Sequence, residues 1–416
     1  MLEIVFRSLL RNAILFKQRS TLYTTYYLEW DTKHARATPP KRNWHIQAFR
    51  VANIFTAFFI LPALWVRCYH LSTSRGGRWY KSTLCLTYIV SFILPCYLCF
   101  ARFIMGPSGP QKYINCFEVL LNLERTLEDM IPRSDYKRGD DVDSAVRQMT
   151  RYPLVLFGIL DSILPISIAF FCFFRWNPLY TMFLAIHNFE LYSPIVPISI
   201  QISLGILGTI GVTMMLATIG ICLLIVSCSI ASLYVWMLFL NRDKNDGRKK
   251  FKLRGGLSFY TAIKMYNMLR VMTIIEEELF IEFVMPRLHH FVAVVLSTCA
   301  HLLVLTQILR NGGKSTILIS GAIVIWLMSL IMEYYTICVV ARIGELSKTF
   351  LMGMRMENRR IPERRRQLDS MLPNCIRLEF LSSVETIHNG VGMKYFLNYF
   401  DRVANITVTL LLAYVH

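Results

Sequence analysis

Residues 193–240 read SPIVPISIQISLGILGTIGVTMMLATIGICLLIVSCSIASLYVWMLFL and contain no charged side chain. A helix rises about 1.5 Å per residue, so a helix over this stretch could cross roughly 30 Å of hydrocarbon and continue beyond it. A hairpin with two crossings would also fit this length. We favour one long helix, because no polar turn interrupts the stretch and Gly205, Gly208, Gly211 and Gly220 suit close packing of helices in lipid.

The chain as a whole has the composition of an integral membrane protein. Of its 416 residues, 54% are hydrophobic and only 17% are charged. A soluble domain of this size is normally more polar. Apolar windows long enough for a span lie at 51–71, 83–105, 153–174, 198–240, 291–309, 315–341 and 395–416. The sequence therefore predicts one all-α, polytopic domain with seven transmembrane helices.

The positions of the basic residues predict the orientation of the chain. The formal net charge is +18, but these charges lie between apolar windows, where they act as orientation signals and not as a nucleic-acid surface. Segment 1–50 is rich in Lys and Arg, as are the connections after the second, fourth and sixth windows. Basic segments of this kind stay in the cytoplasm. We therefore predict a cytoplasmic amino terminus and an extracellular carboxyl terminus.

Three stretches between the windows have helical patterns of their own, at 111–130, 258–285 and 342–394. Ser258 is placed to cap the second of them. By alternation all three lie on the inner side, and they predict a layer of intracellular helical extensions. The basic, amphipathic start of the chain is interpreted as a helix that lies on the inner leaflet.

The sequence offers little to a catalytic interpretation. Glycine-rich phosphate loops, a nucleophile elbow and H-E-x-x-H are absent, and His289 and His290 have no acidic pair at metal-ligand spacing. We expect no catalytic residue, no metal and no cofactor. Asp161 and Glu333 fall inside apolar windows, where a charge is costly. Either they are functional, or Asp161 meets a hydroxyl of another helix and Glu333 snorkels toward Arg342.

Aromatic and polar side chains collect in the outer halves of spans two to six and could form a pocket for a small apolar ligand. An interfacial aromatic belt with ordinary core packing would have the same pattern. The candidate ligand contacts are Tyr88, Phe92, Phe170, Phe173, Phe174, Gln201, His301, Gln307 and Trp326.

The last window contains a polar stripe at helical spacing. Steps of four, three and four residues place Asn405, Thr409, Leu412 and His416 on one helical face. Small polar residues followed by a leucine suit a pore-lining helix that gates by dewetting. The same residues also suit plain association of helices. Both interpretations of the stripe stay open.

The end of the chain also carries a resemblance to a known family. In residues 396–414, Asp401 and Arg402 precede a short helix of small residues that ends close to the last residue of the sequence. With its seven windows and basic inner segments, the chain resembles the insect chemoreceptor superfamily, especially its gustatory receptors. The terminal motif of that family, Thr-Tyr followed by five apolar residues and Gln-Phe, is matched only at Thr407. Other residues occupy its remaining fixed positions: Val408, Tyr414 and Val415.

The resemblance implies a chemosensory receptor that is a ligand-gated, non-selective cation channel in the plasma membrane. It implies a homo- or heterotetramer of related subunits in which the last helices line the pore and a small-molecule ligand binds among the outer halves of spans two to six. A multi-pass transporter or lipid-related membrane enzyme, with Asp161 and Glu333 as working groups, is the alternative. A G-protein-coupled receptor fits less well, because it needs an extracellular amino terminus.

Overall fold

The computed structural model of the chain is almost entirely helical over the residues it describes, which confirms the predicted all-α class. Within them, the only strands are β1 (Glu29–Asp31) and β2 (Arg36–Thr38), which form an antiparallel hairpin. The described residues are 2–19, 27–40, 43–73, 78–106, 108–131, 142–148, 151, 177, 179–180, 182–183, 198–241, 257–283, 285–311, 316–371, 376 and 393–415.

Helices occupy every predicted window except 153–174, which lies outside the described residues. A π-helical turn, Thr56–Ile60, joins the second helix to the third. The number of membrane crossings stays a prediction. The helices are α1 (Glu3–Arg19), α2 (Asn43–Phe55), α3 (Leu61–Thr73), α4 (Arg78–Met105), α5 (Gly109–Asp129), α6 (Ile198–Leu240), α7 (Phe259–Phe283), α8 (Met285–Asn311), α9 (Thr316–Glu357), α10 (Pro362–Met371) and α11 (Met393–Val415).

The long uncharged stretch forms α6, a single helix of 43 residues. The hairpin alternative is wrong for this part of the chain. The two halves of α6 have different surroundings. Ile198 and Leu207 are exposed near its start, whereas 88% of the most apolar window in Thr218–Leu240 is buried inside the protein. The first half therefore presents apolar side chains outward, and the second half belongs to the protein core.

Within the described residues, two helices are long and apolar enough to cross a membrane, Trp44–Thr73 and Thr218–Leu240. The pair Val90–Met105 and Gly109–Asp129, bent by 88°, adds a third if it is counted as one span. In Trp44–Thr73 only 22% of the apolar window is buried, and Phe58 is among its exposed side chains. An exposed apolar surface of this kind is compatible with a membrane protein.

The largest buried cluster joins α1 to α4, α5, the second halves of α6 and α9, and the first half of α7. From α1 it contains Phe6, Leu10 and Ile14, whereas Ile4 on the opposite side is exposed. The interpretation of α1 as a helix on the inner leaflet is therefore wrong, because its apolar face is covered by the protein itself. Ser258 caps α7 as predicted: its Oγ accepts a hydrogen bond from the backbone N–H of the third helical residue at 3.1 Å.

A fully buried carboxylate connects three segments of this cluster. Glu124 on α5 accepts hydrogen bonds from the backbone N–H of Leu2 at 3.3 Å, from the hydroxyl of Ser232 and from the indole N–H of Trp236 at 2.8 Å. Buried charge is tolerated when several donors satisfy it. This arrangement fixes the start of the chain against α5 and α6.

The chain turns sharply between α4 and α5, and a glycine makes the turn possible. A Cβ atom on Gly109 would collide with the backbone carbonyl oxygens of Phe103 and Ile104. The guanidinium of Arg50, on α2, donates from Nε to the carbonyl oxygen of Met105 at 3.0 Å. This bond satisfies one of the carbonyl groups that a helix leaves unpaired at its end. At this corner the backbone of Gly109 therefore lies directly against the backbone at the end of α4.

Candidate functional site

The predicted pocket residues are spread over α4, α6, α8 and α9. Tyr88 is exposed, and Phe92 and Gln201 are half-buried. Gln307 lies on α8, but its side chain is not among those described. Three further candidates lie outside the described residues: Phe170, Phe173 and Phe174. The described side chains of α4 and α6 therefore give no evidence of a common pocket with α8 and α9.

One predicted pair does come together. The rings of His301 on α8 and Trp326 on α9 lie 5.1 Å apart, centroid to centroid, with their planes inclined by 59°. Both side chains are half-buried, and the adjacent buried cluster consists of Ala300, Leu303 and Ala322. We call the His301–Trp326 pair the outer layer. Small residues around it allow α8 and α9 to approach closely.

A second group of polar side chains lies where α8, α9 and α11 meet. The hydroxyl oxygens of Ser297 on α8 and Tyr399 on α11 are 2.5 Å apart, and both residues are buried. Glu333 on α9 is 0% exposed and close enough to interact electrostatically with the Tyr399 phenol. We call Ser297, Tyr399 and Glu333 the inner layer. Because Glu333 is buried, its predicted snorkelling toward Arg342 is wrong, and Asp161 lies outside the described residues.

Helix α11 packs on the protein through one narrow face. Among its described side chains the buried ones are Tyr399, Val403 and Thr407, four residues apart from one to the next. Tyr399 and Val403 form a buried cluster with Ala293 and Val294 of α8. With 3.6 residues per turn, this spacing describes a single line along the helix. The remaining described side chains of α11 are exposed or partly exposed.

The predicted polar stripe lies on the opposite side of α11. Asn405, Thr409 and Leu412 are exposed, Leu412 by 57%, and at about 100° per residue they lie about 150° round the helix from the buried line. The Thr409 hydroxyl donates to the backbone carbonyl oxygen of Asn405 at 2.8 Å. His416 lies outside the described residues. The stripe therefore faces away from the rest of the chain.

In the structure, the stripe includes more residues than the four predicted from the sequence. Asn398 and Asp401 are also exposed, and they precede Asn405 by seven and four residues, which places them on the same face. The sequence contained this signal, because the same steps extend toward the start of α11. Ser297 and Tyr399 are different. They are separated by 102 positions, and nothing in the local pattern pairs them.

The described cysteines, Cys96 and Cys99 included, are free thiols. In the described part of the chain, no three His, Cys, Asp or Glu side chains are grouped so that they could hold a metal ion. The arrangement on α8, α9 and α11 thus provides hydrogen bonding, one buried carboxylate and an aromatic pair.

No protein-family model matches the sequence, and no curated protein is similar to it.

Proposed function

We propose that this chain is a subunit of a ligand-gated, non-selective cation channel of the gustatory-receptor type in the plasma membrane. In this proposal it crosses the bilayer seven times, with its amino terminus in the cytoplasm and its carboxyl terminus outside. Related subunits form a homo- or heterotetramer, and the stripe face of α11 lines the central pore. A small molecule that binds near the outer layer opens it.

The observation that supports this proposal most directly is the way α11 presents its polar stripe. Asn405 and Thr409 are exposed on the side opposite the packing face. Inside a bilayer, polar side chains facing lipid are unfavourable, and they are found facing other helices or water. A stripe turned away from its own chain therefore needs either partner helices or an aqueous path. Copies of α11 round a central axis provide both.

Leu412 is placed to form a hydrophobic gate in this water path. It follows Thr409 by three residues on the same face and is exposed by 57%. A ring of leucine side chains in a narrow pore expels water, which blocks ions without a covalent or charged plug. The resting channel is closed at Leu412, and displacement of α11 widens the ring.

The first test is a comparison of two leucines on α11. Leu412→Ser should let water into the ring and raise the cation current measured without ligand in voltage-clamped cells. Leu410→Ser is the matched control, because Leu410 is also exposed but lies about 160° round the helix from Leu412. Thr409→Val should lower the current through channels opened in this way, since it removes a hydroxyl from the water path.

Surface labelling confirms equal delivery of each variant to the plasma membrane. Equal currents from Leu412→Ser and Leu410→Ser, or the absence of current from both, would reject the pore assignment of α11. A current that is unchanged by Thr409→Val would reject the stripe as its lining.

A further inference from the structure

The outer and inner layers lie one above the other between the same two helices. Ser297 precedes His301 by four residues on α8, and Glu333 follows Trp326 by seven residues on α9. Residues at these spacings share a helix face. With a rise of about 1.5 Å per residue, the inner layer lies about 6 to 10 Å from the outer layer along the helix axes.

The inner layer includes a residue of α11. Tyr399 enters it from the narrow packing face of that helix, and its hydroxyl meets the Ser297 hydroxyl at 2.5 Å. Exposure of Tyr399 is 1% and that of Ser297 is 0%, so the bond is shielded from bulk solvent. The next buried residue along the face, Val403, has an aliphatic side chain that packs in the buried cluster without hydrogen bonding. Tyr399 therefore gives this end of α11 a directional attachment to α8.

We propose that the Ser297–Tyr399 hydrogen bond is the joint that holds α11 in its resting position and that couples it to the His301–Trp326 pair. This inference rests on the proposed function, because it names how that channel is regulated. Ser297 and Tyr399 are positioning residues, since neither lies on the stripe or in the outer layer.

The geometry of this hydrogen bond depends on the distance between α8 and α9. A ligand that inserts at the His301–Trp326 pair moves α8 relative to α9, and Ser297 moves with α8. Hydrogen bonds weaken steeply when the donor and acceptor separate or lose alignment. Tyr399 then loses its bond to Ser297, and α11 shifts on its remaining contacts. The stripe changes its exposure to water as a result.

The test uses Thr409→Cys as a reporter in the full chain, in intact cells, with a charged thiol reagent added outside. The rate of modification measures how often position 409 is open to water, and the chain with Thr409 intact corrects for the native cysteines. Tyr399→Phe and Ser297→Ala should each raise this rate about three- to tenfold, as expected for loss of one buried hydrogen bond. The two together should raise it no more than either alone.

A third variant tests the coupling. Trp326→Leu should change the modification rate in the reporter chain but have no effect once Tyr399→Phe is present. Tyr334→Phe is the matched control, since it removes a phenol hydroxyl from an exposed residue of α9, and it should leave the rate unaltered. If Tyr399→Phe does not yield folded protein, Ser297→Ala removes the same bond from the other side.

An unaltered rate in Tyr399→Phe or Ser297→Ala, effects of the two that multiply, or a Trp326→Leu effect that persists in Tyr399→Phe would each overturn the joint. The labelling does not depend on conduction. If the chain is labelled as expected but Leu412→Ser gives no cation current, the joint is supported and the proposed channel is rejected. If Leu412→Ser gives the current but the labelling does not respond as expected, the channel is supported and the joint is rejected.

Discussion

Glu124 is an acidic residue that is fully buried in the protein core. A carboxylate in the core is satisfied by the donors of Leu2, Ser232 and Trp236. Glutamine keeps the shape but replaces one acceptor oxygen with an amide donor, which leaves a buried donor unsatisfied. We expect Glu124→Gln to lower the free energy of unfolding by about 1–3 kcal/mol, measured as a lower thermal midpoint of the detergent-solubilised chain by size-exclusion chromatography.

Glu128→Gln is the control for this substitution, because Glu128 lies one turn further along α5 and is exposed. Its midpoint should stay within the range of the native chain. Equal losses in the two variants would mean that the buried hydrogen bonds of Glu124 contribute nothing particular to stability.

At the same scale, some features of the candidate site follow from local sequence spacing and others do not. The stripe on α11 follows from local spacing, so periodicity alone is enough to place Asn405 and Thr409 on one face. The Ser297–Tyr399 bond joins residues 102 positions apart, and the Ser232–Glu124 bond joins residues 108 apart. Such pairs depend on how helices pack, which periodicity within one helix does not determine.

Among the helices, α1 shows how amphipathicity can be misinterpreted. A basic helix with one apolar face suits both a membrane surface and a protein groove, and the sequence does not say which surface covers that face. The covering surface comes from the β1–β2 hairpin and from α5 and α6, and the two helices lie much later in the chain. By contrast, the bounds of α5 and α7 follow closely from their apolar spacing and, for α7, from its serine cap.

Two aliphatic residues of α1 test its docking. Leu10 is 3% exposed and Ile4 is 83% exposed. Leu10→Ala should lower the free energy of unfolding by about 2–5 kcal/mol through lost burial and a cavity, whereas Ile4→Ala should change it by less than about 0.5 kcal/mol. The thermal midpoint of the solubilised chain measures both. A larger loss for Ile4→Ala would instead place the exposed side of α1 in contact with something essential.

At the scale of the whole molecule, the proposed odd number of crossings has a direct consequence. A tag at the carboxyl terminus should be reached by antibody on intact cells, and a tag at the amino terminus only after the cells are permeabilised. The reason is that segment 1–50 is rich in Lys and Arg, and basic segments next to a membrane span tend to stay in the cytoplasm. Permeabilised cells, in which both tags are reached, are the control. Detection of both tags on the same side of intact membranes would exclude the seven-span arrangement.

The corner at Gly109 has a mechanical consequence for the molecule. Because its backbone contacts with Phe103 and Ile104 leave no room for a side chain, α4 and α5 meet in a close-packed corner, here called the bracket. Tyr113, in the second turn of α5, fastens the bracket to α6 by donating its hydroxyl to the carbonyl oxygen of Ile221 at 2.8 Å. We expect a tilt of α4 to be transmitted through the bracket to the middle of α6.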